Sequence, residues 1–428
     1  MKVLCTPYGG GSIAHIVRTL AVADQLRSRG HDVLFTSPTT KKAFIEEAGY
    51  RVHGNGHPEV NLNDQEDQSI SYFRNNRDAF LGWLGDEMEA AASFKPDIII
   101  NSPTFFGPLA SLKHGIPHIS IINAQWLTEY KGVLGLGKSN DTLGHSLIRK
   151  LANPIFAKRF ESIYMEEIQS YYRDLGVSFV PSRRRDLHRH NPALIPSVPR
   201  FEPIVETART DLHYVGPLIW EGFEKQPFDP HGLFHNFGSK PCIYLSLGGS
   251  IYRKESYDLL IEALRTKKEW HTILSLGPNF PREAFPEDTE NLVIRSFVPG
   301  LRVCEFADVV INTASHGTVM QALWHGKPVV AVPHNIDQAT IASRLTELGL
   351  GINLNSIGLR DFSNREAYFK RATQVPIAAI IDATERALHD KELRARTGAF
   401  AQELRRYSAA DHNAAHYVEQ YAKQGKRS

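Results

Sequence analysis

A chain of 428 residues exceeds one ordinary core and predicts about two domains. Its 49 Lys and Arg against 47 Asp and Glu leave a formal charge of +2, which gives no broad electrostatic face for nucleic acid or an anionic membrane. With 42% hydrophobic and 22% charged residues, the composition excludes disordered, collagen-like and coiled-coil classes. Cys5, Cys242 and Cys304 lie far apart without C-x-x-C spacing, so neither a disulfide framework nor a zinc cage is expected. The apolar start is too short for a signal-peptide core, and no run approaches the roughly 18 apolar residues of a spanning helix. The expectation is a soluble, cytoplasmic protein with no transmembrane segment.

Lys2 to Thr6 reads as a strand, broken by Gly9 to Gly11. Ile13, Ile16, Val17, Leu20, Ala21 and Leu26 then recur at helical spacing until Gly30 closes the helix. Val33 to Thr36 completes a βαβ unit, the building block of a parallel sheet. The unit recurs with a strand from Asp97 to Ile100, a helix near Pro108 to His114, and a strand from His118 to Asn123. Less regular stretches at about 55–70 and 128–150 read as loops above the strand ends, where a doubly wound sheet makes variable ligand contacts. After linker-like punctuation in 214–240, a second series begins at Cys242 to Leu247. It continues through a helix around Tyr257 to Leu264 and strands at His271 to Leu276, Leu292 to Ser296, Val309 to Asn312 and Val329 to Pro333. Residues from Pro376 to about Lys423 read as two or three helices joined at Gly398 and Ser408.

Residues 297–338 carry the strongest signal. Phe297 and Pro299 lead through a helical segment into the strand Val309 to Asn312. The small-residue turn Thr313-Ala314-Ser315-His316-Gly317-Thr318 then opens a helix running to Trp324. Small residues admit a ligand to the backbone N–H groups and a helix N-terminus favours negative charge, so this turn suits a phosphate. The next strand delivers Asp337 and Gln338, whose side chains suit sugar hydroxyls.

This segment resembles the donor-binding region of the family-one, GT-B glycosyltransferases, in particular the bacterial branch that glycosylates natural products. The match runs through Phe297, Pro299, Asp308, Gly317, Thr318, Ala322, Leu323, Gly326, Pro328, Pro333, Asp337 and Gln338. It extends to His15, fourteen residues before Arg29-Gly30-His31, and to Pro96-Asp97, Gly115-Ile116-Pro117, Val215-Gly216-Pro217 and Ser246-Leu247-Gly248. The resemblance implies an α/β GT-B fold, two facing Rossmann-like doubly wound domains with C-terminal helices crossing back to the first. It divides the chain into an acceptor-binding domain at 1–218, a linker at 219–240, a nucleotide-sugar-binding domain at 241–395, and returning helices at 396–428.

By the same resemblance Phe297 stacks on the nucleobase and the Val298 backbone meets its edge. Gly249, Ser250, Gly317 and Thr318 surround the diphosphate, Thr313 and Ser315 belong to the same donor-binding turn, Gln321 takes the ribose position, and Asp337 and Gln338 hold the sugar. His15 becomes the general base of an inverting displacement. No Asp-x-Asp motif occurs, so no metal and no cofactor beyond the nucleotide-sugar co-substrate is expected, with a helix N-terminus stabilising the departing diphosphate. Phe73, Phe80, Trp83, Trp126 and Tyr130 mark acceptor loops at about 55–85 and 124–150 suited to a moderately apolar small molecule.

Three departures stand out. The family's His-Gly-Gly turn is Thr313-Ala314-Ser315 here, with His316 following as its replacement at the helix start. The position often acidic for the ribose is Gln321. The dyad Asp expected after the strand Ile98 to Ile100 is replaced by Asn101-Ser102, so Ser102 orients His15 without balancing its charge. The acceptor is then expected to be acidic, already nucleophilic, or to supply a group that completes the site.

Simpler readings compete. His15 also suits a helix cap or core, Phe297 a core position, and Asp337 or Gln338 a helix cap. Ser182-Arg183-Arg184-Arg185 reads as a solvated loop rather than a nucleic-acid patch. The 19 histidines show no metal-ligand spacing. The function expected is transfer of a sugar from a UDP-sugar, or a dTDP-sugar, to a small molecule, with the protein a monomer or homodimer and no nucleic-acid partner. Competing functions are a lipid-linked-sugar transferase, a nucleotide-sugar epimerase, or a catalytically silent homologue acting as a partner protein.

Overall fold

The computed structural model describes residues 1–9, 13–60, 76–102, 106–132, 162, 165–189, 191–205, 209–222, 228–248, 254–277, 280–355, 374–409 and 413–425. It divides into two compact units. The first comprises the described residues of Met1–Lys131, Lys158–Trp220 and Tyr407–Ser428, and the second those of Gly132–Ala157 and Glu221–Arg406.

In the first unit, β1 (Lys2–Pro7), α1 (Ala14–Ser28), β2 (Asp32–Phe35), α2 (Thr39–Glu47) and β3 (Arg51–Val52) precede α3 (Arg77–Phe94) and β4 (Ile98–Ser102). Then come α4 (Leu109–His114), β5 (His118–Ile121), α5 (Met165–Asp174), β6 (Ala193–Ile195) and β7 (Leu212–Tyr214). The sheet order is β3-β2-β1-β4-β5-β6-β7, and every strand pair is parallel. Alternation along β1 feeds two cores, as a strand covered on both faces requires. Val3 and Cys5 pack with Ile16 and Leu20 of α1 on one face, whereas Leu4 joins Ala90 and Ala91 of α3 on the other.

The second unit contains β8 (Cys242–Ser246), α6 (Lys254–Thr266), β9 (His271–Ser275), β10 (Leu292–Arg295), α7 (Gly300–Phe306), β11 (Val309–Asn312), α8 (His316–Trp324), β12 (Val329–Ala331), α9 (Ile336–Leu348), β13 (Gly351–Asn353) and α10 (Ile377–His389). Its sheet runs β10-β9-β8-β11-β12-β13 and is also parallel throughout. In both sheets the order reverses beside the first strand, between β1 and β4 and between β8 and β11. Ligands of doubly wound folds bind outside the strand C-termini at such a switch point.

Two helices close the chain, α11 (Lys391–Ala409) and α12 (Ala414–Gly425). The return to the first unit begins at Tyr407 rather than at 396, because the early part of α11 is tied to the second unit. Gly398 is no joint: it lies inside α11, where a Cβ on Gly326 would meet its Cα at 3.1 Å, and Arg405 Nη2 donates to the Trp324 carbonyl at 3.0 Å. On the first unit, Val418 of α12 enters the β1 core, Tyr417 stacks on His213 at 3.8 Å, and Glu419 meets Arg29 and His31 at 3.1 and 2.7 Å. Arg29 and His31 thus anchor the last helix.

Candidate active site

At the switch point of the first sheet, Pro7 at the end of β1 pairs with Ser102 at the end of β4. Tyr8 follows β1, and the first turn of α1 carries His15. Ser102 Oγ lies 3.4 Å from His15 Nδ1, so the two residues expected to form the base and its orienting partner meet, 87 positions apart in sequence. At that length the hydrogen bond is a weak one. Asn101 turns the other way, its Nδ2 donating to Thr6 Oγ1 at 3.3 Å and to the Gly107 carbonyl at 3.4 Å.

An aromatic relay surrounds His15. Tyr8 meets its ring edge-on at 5.8 Å and Trp83 at 5.9 Å, and Trp83 stacks on His57 at 5.5 Å. Trp83, expected on a loop, lies in α3 and is 1% exposed. Phe80, also in α3, is fully buried. The helix forms because its apolar residues cover the sheet, so both rings serve as packing behind Tyr8 rather than as loop contacts. Trp83 Nε1 donates to Glu87 Oε1 at 2.9 Å, one turn on. Burial pushes the Glu87 carboxyl up to about 8, opposed by that N–H bond, which keeps it protonated at neutral pH. Burial pushes His57 down to about 4. Its Nδ1 is 2.9 Å from the Pro58 carbonyl, and its buried Nε2 has no hydrogen-bond partner.

One turn beyond His15, Arg18 is only 7% exposed. Its Nη1 donates to Asn123 Oδ1 at 2.9 Å, just past β5. Burial lowers its pKa to about 10, and the charge of Glu202 opposes that shift, so it remains a cation at neutral pH. Sequence reasoning missed Arg18, Glu87, His57, Asn123 and Glu202. A legible signal existed for Arg18, a cation among the apolar residues that open α1.

Trp126 lies on a 3₁₀ turn, with the Arg184 guanidinium 4.5 Å over its ring. The basic run is therefore folded rather than a free loop: Asp186 accepts from the Ser182 hydroxyl at 2.6 Å, and Arg185 Nη2 donates to the Gln125 carbonyl at 2.9 Å. Phe73 lies outside the described residues, as do Gly249 and Ser250.

In the second unit the turn after β11 occupies the equivalent switch point, since Asn312 pairs with Ser246 at the end of β8. Asn312 Oδ1 accepts from the Ala314 N–H at 2.5 Å, holding Ala314 at φ 58°. Ser315 is the cap position of α8; its hydroxyl donates to Thr318 Oγ1 at 3.1 Å and makes no capping bond with a backbone N–H. His316 is buried at the helix start. A Cβ on Gly317 would meet nothing within 4 Å, so open space lies over this N-terminus.

Gln338 is buried and braces the same turn: Nε2 donates to Thr313 Oγ1 at 3.2 Å, and Oε1 accepts from the His334 N–H at 2.8 Å. The cap of α9 is Asn335, not Asp337 or Gln338; its Oδ1 accepts from the Gln338 N–H at 3.0 Å. Asp337 occupies the first turn of α9. Phe297 is 43% exposed and Val298 is buried. Gln321 Oε1 lies 2.6 Å from where a Cβ on Gly300 would sit, so glycine there makes room for it.

Nearly the whole chain is similar to known sequences: it is 24% identical over 417 residues to the NDP-glycosyltransferase YjiC of Bacillus subtilis, covering 94% of this chain and 93% of that protein. It is 23% identical over 418 residues to 4'-demethylrebeccamycin synthase of Lentzea aerocolonigenes, covering 92% and 94%. Among solved structures, the glycotransferase of kitacinnamycin superposes with a TM-score of 0.70 at 19% identity, covering 98% of both chains. The chain has the GT-B fold, and over nearly its whole length its sequence is similar to those of glycosyltransferases. No family model matches it. Among the described residues no helix is long and apolar enough to cross a membrane.

Proposed function

We propose that this GT-B enzyme transfers a sugar from a nucleoside diphosphate sugar to a small natural-product-like acceptor, with inversion and without a metal. The observation that carries the reading is the meeting of His15 with Ser102 at the switch point of the first sheet. The small-residue turn and open helix N-terminus at the switch point of the second supply its donor half. The names of the relatives support both halves, one being an NDP-glycosyltransferase and another the synthase of a natural product.

A proton on His15 Nδ1, shared with Ser102, leaves the Nε2 lone pair as the base. The acceptor O–H proton passes to His15 as the oxygen forms its bond to the anomeric carbon. The anomeric carbon–oxygen bond breaks, and its electron pair leaves with the diphosphate. Backbone N–H groups of α8 meet the growing charge, a role a helix N-terminus fills without a cation. Phe297 offers an exposed ring to the nucleobase. Gln338, already committed to Thr313 and His334, shapes the turn as well as facing the sugar, while Asp337 is the group for sugar hydroxyls.

Thermal shift with UDP and with dTDP tests the donor half, because a nucleotide that binds only the folded state raises the melting midpoint. UDP is the expected ligand. Detection of a glycoside of inverted anomeric configuration from a nucleotide-sugar panel tests the whole. Stabilisation by neither nucleotide defeats the reading in favour of a silent homologue, and nucleotide release with a rearranged free sugar favours an epimerase.

A further inference from the structure

Two arginines of the first unit differ in one respect that bears on the acceptor. Arg209 is saturated: it meets both oxygens of Asp211 at 2.8 and 3.1 Å, Glu129 Oε1 at 3.3 Å, and the carbonyls of His188 and Asn191 at 3.4 and 2.8 Å. Arg18 is the more buried. Yet among the described residues its one hydrogen bond goes to a neutral amide oxygen, that of Asn123, and no carboxylate lies within ion-pair distance. A guanidinium carries five N–H donors, and a buried cation is costly unless paired and hydrogen-bonded. Glu202 acts on it only through space, while its Oε1 accepts from the Ala124 N–H at 3.1 Å.

The place of Arg18 matters as much as its unused donors. It stands three residues after His15 on α1, hence on the same helix face. Its partner Asn123 follows β5, the strand beside the one that ends in Ser102. The cation therefore sits at the sheet end where the proposed general base is, one turn from a histidine whose Nδ1 meets the Ser102 hydroxyl.

We propose that Arg18 binds a carboxylate carried by the acceptor, so that the acceptor brings to the site the negative charge that Ser102 lacks. The proposal rests on the glycosyltransferase reading and names the acceptor class: hydroxylated acids. The planar guanidinium fork matches a carboxylate. Glu202 already offsets part of its field, which favours a monoanion over a phosphate dianion. During transfer the carboxylate stays ionised, the hydroxyl proton goes to His15, and the held anion stabilises the imidazolium as a dyad carboxylate does elsewhere.

The test uses the full chain, the nucleotide sugar that it accepts, and matched pairs of phenolic acids and their methyl esters, such as 4-hydroxybenzoate and methyl 4-hydroxybenzoate. The acids are expected to exceed their esters at least about tenfold in kcat/KM, the scale of a lost charged partner. Arg18→Met collapses that ratio to near one, and Arg18→Lys restores part of it. Benzoate, which has no hydroxyl, is expected to inhibit the wild type competitively against acceptor and not to inhibit Arg18→Met in this way. Equal use of acids and esters overturns the proposal while leaving the glycosyltransferase reading intact, as does an unchanged ratio in Arg18→Met. Inorganic phosphate inhibiting as strongly as benzoate also overturns it, reducing Arg18 to a general anion site. If Arg18→Met does not fold, shown by loss of the nucleotide-induced thermal shift, the wild-type ratio and the Lys variant decide. Absence of both nucleotide binding and transfer overturns the proposal together with the reading beneath it.

Discussion

The two switch points are built from different materials. In the second unit the turn at 313–318 is held by backbone and neutral side-chain bonds from Asn312, Ser315 and Gln338. In the first, the same topological place collects ionisable groups: His15, Arg18 with Glu202 near, and behind Tyr8 the Glu87–Trp83–His57 stack. On the function proposed above, the difference follows from what each must recognise. A diphosphate is the same in every donor and is met by a helix N-terminus, whereas an acceptor must be both chosen and deprotonated, which calls for groups with tuned charge.

The largest effect expected is at His15. His15→Ala should lower kcat/KM for transfer by about 10³-fold, within the range of general-base catalysis, while the nucleotide-induced thermal shift stays. Near-normal transfer by that variant would remove the base from the mechanism and with it the contrast between a charge-handling and a neutral site.

Gly317 probes the other side of the contrast. Nothing within 4 Å would meet its Cβ, so Gly317→Ala should leave the melting midpoint unchanged or raise it slightly, as Gly→Ala does inside helices. The added methyl intrudes on the space assigned to the diphosphate, and nucleotide affinity should fall about tenfold or more, read by calorimetry. Stability and binding moving in opposite directions identifies a ligand site; unchanged binding shows that the diphosphate lies elsewhere.

Much of this second site was legible because it is one contiguous stretch, 297–338, whose turn, helix and strand are local. The first site was legible only where one residue carried a family spacing, His15, or a departure from it, Ser102. Arg18 meets Asn123 across 105 residues, and Trp83 joins His57 to Glu87; no local period announces such meetings. Trp83 shows the converse error. An aromatic residue near a polar stretch looks like a loop contact, but α3 places it inside, because its ring is worth more against Phe106 and Tyr8 than in solvent. Strands β6 and β7, three residues each, are too short for an alternating period to mark them.

Ser102 tests how far the site depends on borrowed charge. Ser102→Ala should cost only a few-fold in kcat, since the 3.4 Å contact orients His15 without adding charge. Ser102→Asp places a carboxylate beside Nδ1 and should move the acidic limb of the pH–rate profile upward by about one unit or more, the shift an adjacent opposite charge gives. That variant should also use neutral acceptors better than the wild type does. An unmoved limb means that the two side chains do not communicate during turnover.

The smallest effect concerns stability and the buried ionisable groups of the first unit. Burial holds His118 down to about 3; it does the same for His188, whose pKa is also lowered by His118 and by Arg184 and Arg209. Both rings are thus neutral when folded and titrate near 6.5 when unfolded. As pH falls from 6.5 toward 3 the unfolded chain binds more protons, so stability is lost, on the order of 1 kcal/mol per pH unit for each histidine. Glu87 acts with the opposite sign: with its folded value about 8 against 4.5 unfolded, it costs stability as pH rises through that window. The melting midpoint should therefore peak near pH 6.5 and decline gently toward pH 8. Glu87→Gln keeps the hydrogen bond from Trp83 but cannot ionise, so it should abolish the decline above 6.5 and steepen the rise between pH 4.5 and 6.5. A Glu87→Gln profile that parallels the wild type across pH 6.5 to 8 would show that this carboxyl does not stay protonated behind the acceptor site.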